Sequence, residues 1–173
     1  MVEGEEYLGA TGLHLAIAYG NDEVAEMLIL SCGVSCIQRA RGVFFMPKDQ
    51  QSDRPVINTT YQVIGVKQIK TDFLRKGLAY MGEYPLAWSA FLCNEGIYNL
   101  LLEKGADPDS QDSYGNTVLH MVVVGTQLGM YGYALRHPKK NGNPYVKNNR
   151  GLTPLTLSCE LGRDTIFRFS DKL

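Results

Sequence analysis

Residues 109–124 read Asp109-Ser110-Gln111-Asp112-Ser113-Tyr114-Gly115-Asn116-Thr117-Val118-Leu119-His120-Met121-Val122-Val123-Val124, and this stretch decides the fold. Thr117 stands just ahead of an apolar run, where its hydroxyl can cap a helix. Upstream, Gly105-Ala106-Asp107-Pro108 closes a preceding element. Gly105 can take the left-handed position that ends a helix. Pro108 bars continuation, and its neighbours carry turn-forming carboxylates.

The pattern occurs four times. The copies are Gly9-Ala10-Thr11-Gly12-Leu13-His14-Leu15-Ala16, Gly82-Glu83-Tyr84-Pro85-Leu86-Ala87-Trp88-Ser89, the Gly115 copy, and Gly151-Leu152-Thr153-Pro154-Leu155-Thr156-Leu157-Ser158. The glycines are 73, 33 and 36 residues apart. The middle step equals the ankyrin period of about 33, and T-P-L-H-x-A is the ankyrin opening. Thr11, His14, Pro85, Leu86, Thr117, His120, Thr153 and Pro154 carry that signature. The expected fold is an all-α ankyrin solenoid of about four helix pairs in one domain, 1–173. The repeats fall at about 7–38, 82–112, 113–148 and 149–173, and a long finger is inserted at about 39–81.

Composition narrows the function. The chain has 173 residues, 45% of them hydrophobic, enough for a packed core. A formal net charge of −1 creates no global field toward nucleic acid or anionic membrane. No run approaches the roughly 18 to 20 apolar residues that cross a bilayer. The N-terminus, MVEGEEYLG, is acidic and lacks the apolar segment of a secretory signal. Cys32, Cys36, Cys93 and Cys159 make no C-x-x-C pair, so reduced cytosolic thiols are the simplest reading. Cys32 and Cys36, one helical turn apart, would be half a metal site that nothing completes.

In chain order, inner helices are expected at Gly12 to Tyr19, Pro85 to Leu92, Val118 to Val124 and Pro154 to Leu161. Outer helices are expected from Asp22 to about Leu30, Glu95 to Glu103 and Gln127 to Leu135, with a last one from Asp164. Val24, Met27, Leu28 and Leu30 are available for burial in the first outer helix, and Leu100, Leu101 and Leu102 in the second. In the insertion, Lys48 to Asn58 is turn-prone and Thr59 to Ile69 is β-branched and extended. An insertion of this size is either a surface loop or a binding element. Its aromatic content favours a partly ordered finger that packs on a partner or on the concave face. His137 to Gly142 makes a second, smaller basic loop.

Little here invites catalysis. His14 and His120 occupy the motif histidine, where an imidazole bonds loop backbone. His137 reads as an isolated loop residue. Asp107 and Asp109 lie in turns, where they cap and solvate. No nucleophile sits beside a base with an orienting group, and no glycine-rich phosphate loop is present. The chain reads as a binding protein, not an enzyme, with no cofactor and no metal.

The residues also resemble a particular family. Gly82 to Leu86, Asp112 to His120 and Gly151 to Leu155, with the finger ahead of Gly82, resemble the cytosolic N-terminal domain of TRPV (transient receptor potential vanilloid) cation channels. Arg41-Gly42-Val43-Phe44-Phe45, Met46 to Gln50 and Ala79 to Trp88 look most like the invertebrate Inactive-type mechanosensory and osmosensory subgroup. Family members carry six repeats, then six membrane helices with a pore. This chain resembles only the third to sixth repeats, which implies a fragment, a truncated isoform or an incomplete gene model. The resemblance implies subunit assembly in a homo- or hetero-tetramer, with the finger touching the neighbouring subunit through Arg39, Arg41, Phe44, Phe45 and Tyr80. It implies the cytoplasmic face of the plasma membrane as location and calmodulin as a candidate partner. A free cytosolic adaptor and a non-functional truncated product are the competing readings. In relatives that bind ATP on the concave face, a tyrosine, a glutamine, a glutamate and an arginine hold it. Tyr7 matches that tyrosine, but Ala10, Ala18 and Tyr19 replace the others. Calorimetry with ATP is therefore expected to show no binding in the micromolar range.

Overall fold

A computed structural model describes residues 10–40 and 81–163, which form seven short helices and no strand. Helices α1 (Gly12–Ala18) and α2 (Asp22–Leu30) make one antiparallel pair. Helices α3 (Pro85–Phe91) and α4 (Glu95–Glu103) make the next, and α5 (Val118–Val124) and α6 (Leu128–Leu135) the third. Helix α7 (Pro154–Glu160) opens the fourth unit. The expected Thr59–Ile69 extension and the helix from Asp164 lie outside the described residues.

Helices of seven to nine residues are marginal alone in water, so their stability comes from stacking. The inner helices pack in series, α1 on α3, α3 on α5 and α5 on α7, while α2 lies against α4. Thus α1 sits directly on α3 although one ends at Ala18 and the other begins at Pro85. The insertion does not interrupt the contact between these two helices. Every residue of α3 and α5 is buried, as expected for helices apolar all round. Trp88, Phe91, Leu119 and Met121 fill that centre.

Local chemistry starts each helix. Thr11 and Thr153 cap α1 and α7 by accepting the amides of His14 and Thr156. Tyr84 cannot cap through its side chain, but Pro85 supplies a prefixed first turn to α3. Asn21 and Asn94 cap the outer helices α2 and α4 through Val24 and Ile97. Asp107 and Asn143 accept the amides of Asp109 and Tyr145 and so make the same turn in successive repeats. The carboxylates of Asp107 and Asp109 do lie in turns, as their sequence context suggests.

The turn between paired helices repeats a single left-handed residue: Gly20 at φ 66°, Cys93 at 56°, Thr126 at 58° and Gly162 at 64°. Beside that row, each repeat reaches back to the one before. Asn94 donates to Asp22 at 2.7 Å, Gln127 accepts from Cys93 at 2.8 Å, and Arg163 donates to the Val123 carbonyl at 2.6 Å. The last contact puts a cation on the C-terminal end of α5, where the helix dipole favours it.

Four sequence expectations change. Met27 and Leu30 are 50% and 57% exposed, because the inward stripe of α2 runs through Ala25 and Ile29 at i, i+4. In α4 the buried stripe is Ile97, Tyr98, Leu101 and Leu102, with Leu100 only half-buried. Helix α2 ends at Leu30, so Cys32 and Cys36 share no helical face; Cys32 is exposed and Cys36 buried. His137 is not isolated. It is buried, accepts the Lys139 amide, bonds Asn99 Oδ1 at 2.7 Å and lies edge-on to Tyr98 and Tyr133.

A β-branched residue in the left-handed region costs about 1–2 kcal/mol. Thr126 is exposed and sits where two sister repeats use glycine. Thr126→Gly should therefore raise stability by about 0.5–1 kcal/mol after glycine's unfolded-state entropy is deducted. Urea unfolding reads this; a lower midpoint for the variant would refute it.

Candidate protein-interaction site

Motif histidines tie one repeat to the next. His14 Nδ1 accepts from the Thr11 hydroxyl at 2.8 Å and the Thr11 amide at 3.3 Å. That leaves the proton on Nε2, which donates to the Glu83 carbonyl at 3.0 Å. His120 repeats the arrangement with Thr117 Oγ1 at 2.9 Å, the Thr117 amide at 3.1 Å and the Leu152 carbonyl at 2.9 Å. Glu83 and Leu152 each follow the turn glycine of the next repeat, so the two rungs are equivalent. Burial pushes both imidazoles down to about 4, against the weaker upward pull of the carbonyl bond. Neutral histidine here is structural, with no substrate-facing edge.

The turn edge continues the ladder. Asp112 Oδ1 accepts from the Tyr114 and Asn116 amides, and Asn148 Oδ1 from those of Arg150 and Leu152. Asn149 then crosses between turns, its amide to the Tyr114 carbonyl at 2.9 Å and its side chain to the Ser113 carbonyl at 2.9 Å. Gly115 permits this approach. Its φ is 75°, and a Cβ there would stand 2.6 Å from the Asn149 nitrogen.

The described residues that flank the insertion come together at one point on this edge. Ala40 and Met81 are buried at its two ends. The Ala40 amide donates to the Glu83 carbonyl at 2.7 Å, the oxygen that also accepts from His14. Trp88 Nε1 donates to the Gly82 carbonyl at 2.8 Å and holds the returning strand of chain at its positive-φ glycine. Arg39 then locks the root. Its Nε reaches Glu83 Oε2 at 2.8 Å, its Nη2 bonds the same oxygen and Ser113 Oγ at 2.7 Å, and its plane lies 5.7 Å from the Tyr84 ring centre. Burial works against the charge on Arg39, but the Glu83 carboxylate outweighs it and raises the guanidinium's pKa.

Thr11, His14, Pro85, Leu86, Thr117, His120, Thr153 and Pro154 are thus brought together as caps, first turns and rungs of one stack. Arg39 is at the root of the finger, engaged within the chain. Arg41, Phe44, Phe45, Tyr80 and Tyr7 lie outside the described residues. Sequence reasoning missed Glu83 and Ser113 as members of the site. Their partner Arg39 is 44 and 74 residues away, and no local spacing announces such a contact. Among the described residues, no group of three or more histidines, cysteines or carboxylates could hold a metal.

The ankyrin repeat family matches residues 8–40, and the stacked helix pairs with repeating turn glycines make the fold an ankyrin repeat solenoid. The chain is homologous to one stretch of several cation channels. It is 32% identical over 183 residues to transient receptor potential cation channel subfamily V member 5 of Rattus norvegicus, a match spanning 93% of this chain and 25% of that protein. It is 29% identical to member 6 of the same subfamily from Homo sapiens, over 93% of this chain and 24% of that protein. For member 4 from Homo sapiens the identity is 32%, over 94% of this chain and 18% of that protein. The chain therefore spans a quarter or less of the length of these relatives. No helix among the described residues is long and apolar enough to cross a membrane.

The two rungs set a pH dependence. Unfolded histidine titrates near 6.5 and the folded rings near 4. Above pH 6.5 both states are neutral and the contribution is fully present. As pH falls from about 6.5 to 4, the unfolded chain takes up protons that the folded chain refuses. Each rung then withdraws about 3 kcal/mol. His14→Gln/His120→Gln keeps a capping side chain at N3 and should flatten the urea midpoint between pH 7 and 4. Parallel curves for variant and parent would rule this out.

Proposed function

We propose that this chain is the cytosolic ankyrin repeat portion of a TRPV-type cation channel subunit, most like the invertebrate Inactive-type subgroup. In this reading it mediates subunit assembly and regulatory protein contacts at the cytoplasmic face of the plasma membrane. The whole subunit would serve calcium-permeable, sensory channel activity, and this stretch would work without a pore of its own. The repeats divide at about 7–38, 82–112, 113–148 and 149–173. The finger, about 39–81, makes the contacts through Arg41, Phe44, Phe45 and Tyr80, with Arg39 at its root. Subunits of the same family are the first partners, in homo- or hetero-tetramers, and calmodulin is a further one.

One observation carries the proposal. The similarity to member 5 of the channel subfamily from Rattus norvegicus spans 93% of the chain, a span that takes in the position of the insertion as well as the repeats. The buried centre of the stack supports the same reading, because fully buried α3 and α5 leave little side-chain surface for a ligand on the inner helices.

Deleting residues 44–78 should leave the helical circular dichroism intact and abolish co-precipitation with full-length TRPV-type subunits. Retained association, lost instead on substituting exposed residues of the turn edge such as Arg150, would favour a free ankyrin adaptor.

A further inference from the structure

We propose that Glu83 is the positioning residue at the root of the finger, fixing through Arg39 the course of the chain at Arg39 and Ala40. This rests on the reading that the finger makes subunit contacts. Glu83 joins three parts of the chain. Its carbonyl takes the His14 imidazole from the first repeat and the Ala40 amide from the finger's entry. Its carboxylate takes Arg39, which reaches on to Ser113 in the third repeat's turn.

The chemistry is that of a directional lock rather than a packing contact. Glu83 is 1% exposed, and Oε1 is buried with no hydrogen-bond partner among the described residues. A buried carboxylate with one oxygen unsatisfied is costly, and a well-packed apolar pair of similar volume is often the more stable choice. What the ion pair supplies is geometry. Two N–H groups of a planar guanidinium on one oxygen, with a third contact to Ser113 and a ring alongside, fix the angle at residue 39. Ala40 follows immediately, and its amide is held by the same residue. The lock thus sets Arg39 and Ala40 against two repeats at once.

The test compares Glu83→Gln, Arg39→Lys and the apolar pair Arg39→Met/Glu83→Leu with the parent chain and with the 44–78 deletion. Amide exchange at Ala40, thermal melting and co-precipitation with full-length TRPV-type subunits are measured on each. Exchange at Ala40 should rise about ten-fold or more in both single variants, with the amides of α5 unchanged. Association should fall about ten-fold. The Met/Leu pair should melt at or above the parent's temperature and still associate weakly, which a purely structural role would not give. Unchanged exchange at Ala40 overturns the proposal. So does parent-like association by the Met/Leu pair when the deletion abolishes association. If the deletion itself leaves association intact, the assembly reading falls, and the exchange result alone decides whether Glu83 holds the root.

Discussion

An uncharged imidazole between a threonine and a carbonyl is the constraint on which this stack depends. Each such ring accepts on Nδ1 from its own helix start and donates from Nε2 to the turn of the next repeat. One proton serves both jobs, and a second would remove the acceptor that caps the helix. Neutrality is enforced by burial, which places both rings far below the usual histidine range. The helices it starts are too short to persist unaided. The rung and the apolar interior therefore support each other: packing keeps the ring neutral, and the neutral ring fixes the register in which the helices pack.

Where the histidine is missing, other chemistry takes over. Ala87 stands at the equivalent position of α3, and Trp88 beside it reaches back to the Gly82 carbonyl while meeting the His14 ring edge-on at 4.9 Å. In α7, Thr153 and Thr156 cap each other's amides. The opposite edge of the stack uses unrelated groups, an asparagine, a glutamine and an arginine, for equivalent backward contacts. The two edges fix spacing and rotation between neighbouring repeats, so stability follows nearest-neighbour contacts as in other solenoids.

Most of this architecture was legible. Four glycines and their following apolar runs locate the inner helices within a residue, because turn chemistry and burial coincide there. The outer helices were legible in position and less so in facing, since a stretch such as Met27-Leu28-Ile29-Leu30 offers more apolar residues than one stripe can bury. His137 escaped because its partners Asn99, Tyr98 and Tyr133 belong to two different helices. The Arg39–Glu83 contact escaped for the same reason at greater range. Sequence periodicity reports what a residue's own helix requires, and it is silent on pairs that exist only once repeats are stacked.

The insertion adds a constraint of its own. Residues 41–80 separate two buried positions of adjacent repeats. Closing forty residues where a turn of about five would serve is three doublings of length, about 2 kcal/mol of chain entropy. A neutral hydrogen bond contributes about 1 kcal/mol net, so the Ala40 amide on the Glu83 carbonyl offsets part of that cost, while the Arg39 pair fixes geometry. A solenoid can thus carry a long excursion without loss of register, provided that the residue receiving it is already tied to the repeat before. Glu83 meets that condition, because the His14 rung ends on its carbonyl.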